Sequence, residues 1–535
     1  MSEPQDAQPT PPSSAAVAAT GDQSPIVKTI AAGYQFEGVT LELGGLMLDA
    51  DTLSDVHIRI PIGMLNRHGL VAGATGTGKT KTLQLMAEQL SANGVPVFAA
   101  DVKGDLSGLS APGVENQKIV DRASSVGQDW KATGFPVEFF ALGGQGTGIP
   151  LRATMTSFGP TLLSKVLGLN QTQESSLGLV FHYADQAGLA LLDLADLRAV
   201  VQFLTSDEGK QELKNLGGLS SSTAGVLLRE LITFSDQGAD QFFGEPEFDT
   251  KDLMRTTPDG RGLISMVELP NLQDRPALFS TFLMWLLADL YHDLPEVGDP
   301  DKPKLVFFFD EAHLLFADAS KAFLTSITQT VRLIRSKGVG VFFVTQSPTD
   351  VPDDVLAQLG SRIQHQLRAA TPNDAKALKQ TVNTYPTSSY DDLGKVILSL
   401  GIGEAIVTVM DDRGAPTPVA WTRLRAPESL MAPADPAAMQ QTIAVSPLTA
   451  KYGQVIDRES AREKLAAKLD VGADKANQEQ AQPEGGVAYP KKPSTARTKK
   501  QDSMLDDIMK SSVTKQIART AAREIVRGVF GIGRR

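Results

Sequence analysis

The run Gly73-Ala-Thr-Gly-Thr-Gly78-Lys79-Thr80 places glycines, a lysine and a hydroxyl at the spacing G-x-x-x-x-G-K-[ST]. The glycines allow backbone turns that a Cβ would forbid, so successive N–H groups of Gly73, Ala74, Thr75, Gly76, Thr77 and Gly78 converge on phosphate oxygens. Lys79 sets a point charge at the β- and γ-phosphates, Thr80 offers a hydroxyl to Mg²⁺, and the Lys81 N–H reaches toward the α-phosphate. A helix opening near Gly78 adds its positive dipole end. The alternative is a chance glycine-rich turn. Against it stand an apolar strand before the run and an amphipathic helix after it.

A phosphate loop alone does not distinguish an ATPase from a GTPase or a small-molecule kinase. Leu305-Val-Phe-Phe-Phe-Asp310-Glu311-Ala-His313 narrows the chemistry. Asp310, ending a buried strand beside the loop, can hold the Mg²⁺ water shell. Glu311 can polarise a water for in-line attack on the γ-phosphate. A strand-end helix cap is the bland reading of the same pair. No NKxD sequence occurs, which argues against guanine recognition. Gln346, after the apolar strand ending at Thr345, is placed to sense the γ-phosphate and orient water, or simply caps that strand. Asp101-Val-Lys-Gly-Asp105 ends another strand at the same edge, either positioning water or a neighbouring subunit, or forming a turn at Gly104. An arginine to stabilise transition-state charge is sought among Arg332, Arg335 and Arg362, with Arg335 and Arg362 the leading candidates to act across a subunit interface.

These residues need elements to position them. Leu83, Met86 and Leu90 recur at helical spacing after the loop, and VPVFAAD then reads as a buried strand. Strand, loop, helix and strand in that order open a doubly wound, mostly parallel α/β sheet. The expected organisation begins with a disordered N-terminus at 1–25, a short β segment at 26–62 and the P-loop half of the core at 63–160. A helical insertion at 161–244 follows. The Asp-Glu and sensor half occupies 245–426, ending in a β-hairpin that turns at Asp412–Gly414. A Pro/Ala-rich linker with a short helix fills 427–500, and a basic C-terminal helix fills 501–535. In that last helix Lys515, Arg519, Arg523 and Arg527 make a basic stripe opposite Val513, Ile517, Ala521 and Ile525.

GATGTGKT, DVKGD, LVFFFDEAH and RLIRSKGVGVFFVTQSP, in that order around a helical insertion, resemble the HerA/FtsK superfamily of P-loop ATPases. NQTQES, SPLTAKYGQVIDRESA and REIVRGVFG look like its YjgR-type bacterial branch. The resemblance implies a RecA-like core, hexameric rings, an arginine supplied in trans, and ATP-driven movement of nucleic acid. HerA helicases carry a sizeable β-barrel before the P-loop, whereas about 70 residues precede it here.

Composition bounds the rest. The 535 residues contain no cysteine and six histidines, which excludes disulfides, thiol nucleophiles and cysteine-ligated metals. The net charge of −11 is uneven: 18 Lys and Arg against 11 Asp and Glu from Lys451 onward give +7, leaving −18 for the first 450 residues. An acidic body argues against broad coating of nucleic acid, while a basic tail suits a polyanion. The most apolar stretch, at 277–288, is shorter than the roughly 20 residues a bilayer requires, and the N-terminus lacks a secretory signal pattern. A cytoplasmic location is expected, without a membrane partner. Two functions remain open: a ring-shaped helicase or translocase acting on nucleic acid, and an ATPase that remodels or regulates a protein.

Overall fold

The apolar run Leu305–Phe309 has no polar face because it serves two cores. Leu305, Phe307 and Phe309 pack on one side of the sheet with Phe98, and Val306 and Phe308 pack on the other with Phe342. The computed structural model describes residues 24–144, 146–213, 216–269, 276–316 and 321–468. Within them β1 (Thr40–Leu48), β2 (Asp51–Pro61), β3 (Gly69–Ala72), β4 (Val97–Asp101), β5 (Val137–Leu142) and β6 (Ile149–Leu151) are followed by β7 (Ile264–Glu268), β8 (Leu305–Phe309), β9 (Val339–Thr345), β10 (Ser361–Gln364), β11 (Glu404–Thr408) and β12 (Ala420–Leu424). All twelve join one sheet in the order β2-β1-β12-β11-β10-β3-β9-β8-β4-β7-β5-β6. From β10 to β6 every neighbouring pair is parallel, and from β10 to β2 every pair is antiparallel.

One face carries the helix Lys79–Ala92, whose Leu83, Met86 and Leu90 are fully buried as their spacing requires. The opposite face carries the helix Pro276–Asp293, built around Trp285, and the helices Met155–Val166, Gln171–Gln186, Leu194–Thr205 and Ser221–Asp236. Asn170 and Gln173, from the NQTQES segment, form a reciprocal capping box that starts one of these helices. The hairpin of β11 and β12 pairs Glu404 with Arg423 and turns at Asp411–Gly414.

Three expectations change. β9 lies between β3 and β8, so the Asp-Glu strand is one strand removed from the P-loop strand rather than beside it. The first apolar run, at 27–34, is a helix rather than a strand. Pro25 occupies its first turn, Val27 and Ile30 bury one face, and the Tyr34 hydroxyl donates to Val407 O and Pro418 O. The segment after β12 is also no free linker over its described part, since it runs as a strap across the helix Lys79–Ala92. There Lys81 Nζ donates to Met431 O at 2.7 Å and Gln84 Nε2 to Leu430 O at 2.9 Å. The Glu88 carboxylate accepts from the Glu428 and Ser429 N–H groups, both at 2.9 Å. The strap then crosses β5 as the helix Pro436–Val445 and reaches the helical layer, where Arg462 N donates to Asp196 at 3.0 Å. The expected N-terminal segment, except for 24–25, and the whole basic helix at 501–535 lie outside the described residues.

Candidate nucleotide-hydrolysis site

The phosphate loop leaves β3 and is held by its neighbours' backbone. Gly73 N donates to Thr345 O at the end of β9, Ala74 N to Gln366 O after β10, and Gly403 N to Thr77 O. Gly78, at φ +114°, occupies the N-cap of the helix Lys79–Ala92 without a side-chain cap, so the first-turn N–H groups are left for an anion. Lys79 is nearly buried, and its ammonium donates to Gly73 O at 2.7 Å and Ala74 O at 3.2 Å. Burial pulls its pKa down, opposed mainly by the Glu311 charge. Thr80 is half-buried in the first turn, while Thr75 and Gly76 form the exposed tip. The side chain of Lys81 turns away to the strap, so only its backbone is left to serve the loop.

Asp310 and Glu311 follow β8 at the same carboxyl edge of the sheet. Asp310 Oδ1 accepts from the Glu311 N–H at 2.9 Å, and Oδ2 is buried with no hydrogen-bond partner among the described residues. Burial, with the Glu311 charge second, pushes the Asp310 carboxyl up to about 7. Such an orphaned oxygen fits a carboxylate meant for a cation. Among the described residues no group of three or more His, Asp or Glu side chains could hold a metal unaided. Thr80 and Asp310 therefore suit Mg²⁺, which takes few protein ligands and shares phosphate oxygens.

Glu311 is buried at φ +48°, a left-handed conformation uncommon for a residue with a Cβ. Lys103 pairs with its Oε1, and His313 Nδ1 lies 3.2 Å from Oε2. Burial alone would raise the Glu311 pKa, but the Lys103 contact outweighs it, with help from His313 and Gln346, and the carboxyl stays below its ordinary value. The exposed Gln346 thus stands against Glu311 at the end of β9. Lys103 belongs to the DVKGD turn, where the buried Asp101 carboxylate accepts from the N–H groups of Lys103, Gly104 and Leu106 at 3.1, 2.7 and 2.9 Å.

Sequence reasoning missed two more residues here. His365, directly after β10, is fully buried beneath the loop with Nε2 2.8 Å from Thr82 Oγ1, and burial drives its pKa down to about 3. Arg368 donates to Thr75 O at 3.3 Å. Only their position after a parallel strand could have signalled them. Arg335 and Arg362 are brought together, but at the other edge. With Arg67, His68 and Arg332 they line a cavity of about 580 Å³ where β3 and β10 begin. Arg335 pairs with the exposed Asp299 at 3.2 Å. Arg362 donates to Thr384 O at 2.9 Å and to Leu356 O at 3.5 Å.

Comparison with known proteins agrees with this arrangement. The family model for the HerA-like helicase C-terminal region matches residues 47–535. The chain belongs to the HerA family of P-loop ATPases. Similar proteins include the DNA double-strand break repair helicase HerA of Sulfurisphaera tokodaii, 20% identical over 361 residues. The HerA of Sulfolobus acidocaldarius is 21% identical over 360 residues. Each alignment covers 66% of this chain and 64% of the relative, so this HerA-family chain spans under two thirds of those proteins. Among solved structures the bacterial conjugative coupling protein TrwBdeltaN70 superposes with a TM-score of 0.50 at 16% identity, over 77% of this chain and 93% of that one. That likeness supports the RecA-like P-loop fold. No described helix is long and apolar enough to cross a membrane.

Proposed function

We propose that this HerA-family chain hydrolyses Mg-ATP and couples the reaction to movement of nucleic acid as a cytoplasmic ring oligomer, a hexamer by family resemblance. The observation that carries the hydrolytic reading is the convergence of Lys79, Asp310 and Glu311 on one sheet edge, with a buried Asp310 oxygen that has no partner among the described residues. The loop N–H groups from Gly73 to Lys81 bind the phosphates, and Lys79 exchanges its carbonyl partners for the β- and γ-oxygens. Thr80 and Asp310 would hold Mg²⁺, which would supply charge neutralisation for the phosphates. Glu311 accepts a proton from water as the water oxygen bonds to the γ-phosphorus. The bond to the bridging oxygen then breaks and ADP leaves with that electron pair. Gln346 orients the water. Arg335 or Arg362 stabilises the developing charge at a neighbouring subunit's site, since both face away from this subunit's own loop.

Lys79→Ala should weaken ATP binding and lower turnover by about two to three orders of magnitude. Glu311→Gln should retain binding while ATP stays uncleaved. A Glu311→Gln protein that turns over at the wild-type rate refutes the base assignment. DNA supports the motor reading if it stimulates turnover at low salt and loses that effect as salt rises. If DNA has no effect at any salt, the substrate is a protein partner, a reading favoured by the −18 charge of the first 450 residues.

A further inference from the structure

We propose that Lys103 is a positioning residue that restrains Glu311 until the terminal phosphate of the nucleotide is in place. The proposal rests on the reading of Glu311 as the base. The two side chains come from the ends of adjacent strands, β4 and β8, and meet through Lys103 Nζ and Glu311 Oε1. The freedom of the two partners is unequal. The Glu311 carboxylate is only 4% exposed, and its backbone is pinned on both sides: Glu311 N donates to Asp310 Oδ1, and beyond it Ala312 N donates to Val344 O and Leu314 N to Glu311 O, all at 2.9 Å. The Lys103 side chain is 40% exposed, while its N–H donates to the Asp101 carboxylate, which holds the rest of the turn through Gly104 N and Leu106 N. Any rearrangement of the pair therefore falls to the lysine side chain.

The direction of that rearrangement follows from charge. A carboxylate engaged by an ammonium is a poor proton acceptor, because taking a proton from water would break the pairing. A bound triphosphate brings several negative charges to the same sheet edge, next to Lys79. The Lys103 ammonium then has a second partner at the same sheet edge, and Glu311 is free to act only for the fraction of the bound lifetime, about a tenth to a third, that Lys103 spends on the phosphate, so removing the ammonium raises kcat. A purely structural bridge is the competing explanation. It would be expected to fix both partners, and it does not explain a half-exposed cation on a buried carboxylate.

The test is steady-state ATPase kinetics of the full chain without DNA or any other polyanion. Lys103→Met keeps the stem and removes the charge. It should raise kcat by about three- to tenfold while KM for ATP stays within about twofold, the mark of a restraint on chemistry rather than on binding. Lys103→Arg should bring most of the restraint back. Glu311→Gln and the double variant Lys103→Met/Glu311→Gln should both be inactive. A folded Lys103→Met protein with kcat at or below wild type overturns the restraint while leaving the base reading intact. An active double variant overturns it too, because the gain would then bypass Glu311. If Glu311→Gln alone keeps wild-type turnover, the base reading fails and this proposal goes with it. If Lys103→Met does not fold, Lys103→Gln is measured in its place. If neither folds, the pair is a structural bridge and the proposal is wrong.

Discussion

His365 is the residue that makes Gly73 obligatory. A Cβ at position 73 would stand 2.5 Å from His365 Cβ and 3.0 Å from Thr77 Oγ1, and the fully buried imidazole has nowhere to move. At Gly76 a Cβ would meet no atom within 4 Å, so only the φ of +82° opposes a side chain. Gly73→Ala should therefore cost about 1–3 kcal/mol through overpacking and displace the loop, lowering both melting temperature and ATP affinity. Gly76→Ala should cost only the backbone strain, about 1–2 kcal/mol, at an exposed tip, whereas Gly73→Ala adds its overpacking to strain at φ +159°, so its melting temperature should fall further. Equal losses would show that His365 does not support the loop. At this scale the sequence was informative wherever a short spacing encoded the chemistry. The P-loop and the Asp-Glu pair could be read from neighbours in the chain. His365 and Lys103 could not, because their partners Thr82 and Glu311 are 283 and 208 residues away and meet them only through sheet order. Lys103 stood inside a noticed motif, yet the turn explanation accounted for Asp101 and Gly104 and left the lysine without a role.

Elements were legible to the extent that their periodicity was. LVFFF read as a doubly covered strand because five apolar residues leave no solvent face. The run at 27–34 was harder, since Val27 and Ile30 one turn apart are too few to establish a helical period, and tertiary contacts through Tyr34 settle it. The strap at 428–434 carried no pattern at all, because its order comes from Lys81, Gln84 and Glu88 on the P-loop helix. That dependence has a pH signature. Burial, with weaker opposition from the Ser429 and Glu428 hydrogen bonds, raises the Glu88 carboxyl from 4.5 to about 7. The folded chain then binds a proton that the unfolded chain has released. Stability from this group is full below about pH 4.5 and is lost as pH rises through 7, by an amount on the order of 3 kcal/mol. Glu88→Gln cannot titrate, but its amide nitrogen replaces an oxygen that accepts a backbone N–H. Its melting temperature should lie below wild type near pH 5 and the gap should narrow toward pH 8, as followed by thermal melts across that range. Parallel curves for the two proteins would show that Glu88 does not couple the strap to pH.

Scale matters most for the arginines. The phosphate loop leaves the carboxyl end of β3, whereas Arg67 and His68 lead into its amino end and Arg362 pairs with Leu70 near the same end. A cavity lined by Arg67, Arg332, Arg335 and Arg362 on an acidic chain is thus separated from the chain's own phosphate loop by the length of a strand. No sequence pattern could place these groups relative to the loop, because sheet direction fixes which end of each strand they occupy. Their bonding separates the two candidates for action in trans. Among the described residues Arg335 holds only Asp299, whose side chain is 62% exposed, and an ion pair of that kind contributes little to stability. Arg362 supports two backbone carbonyls, and removing it should cost about 1–3 kcal/mol. We therefore expect Arg335→Ala to melt like wild type while losing about 10³-fold in turnover, and Arg362→Ala to lose stability first. Mixing Arg335→Ala with Lys79→Ala subunits then tests the geometry. Half of the subunits keep a loop and the other half keep the arginine, so random rings should regain about a quarter of wild-type turnover, since each heterologous interface pairs one loop with one neighbour. Recovery that scales with the product of the two subunit fractions places Arg335 in the partner's site. A mixture no more active than its components, from proteins shown by light scattering to co-assemble, removes Arg335 from catalysis.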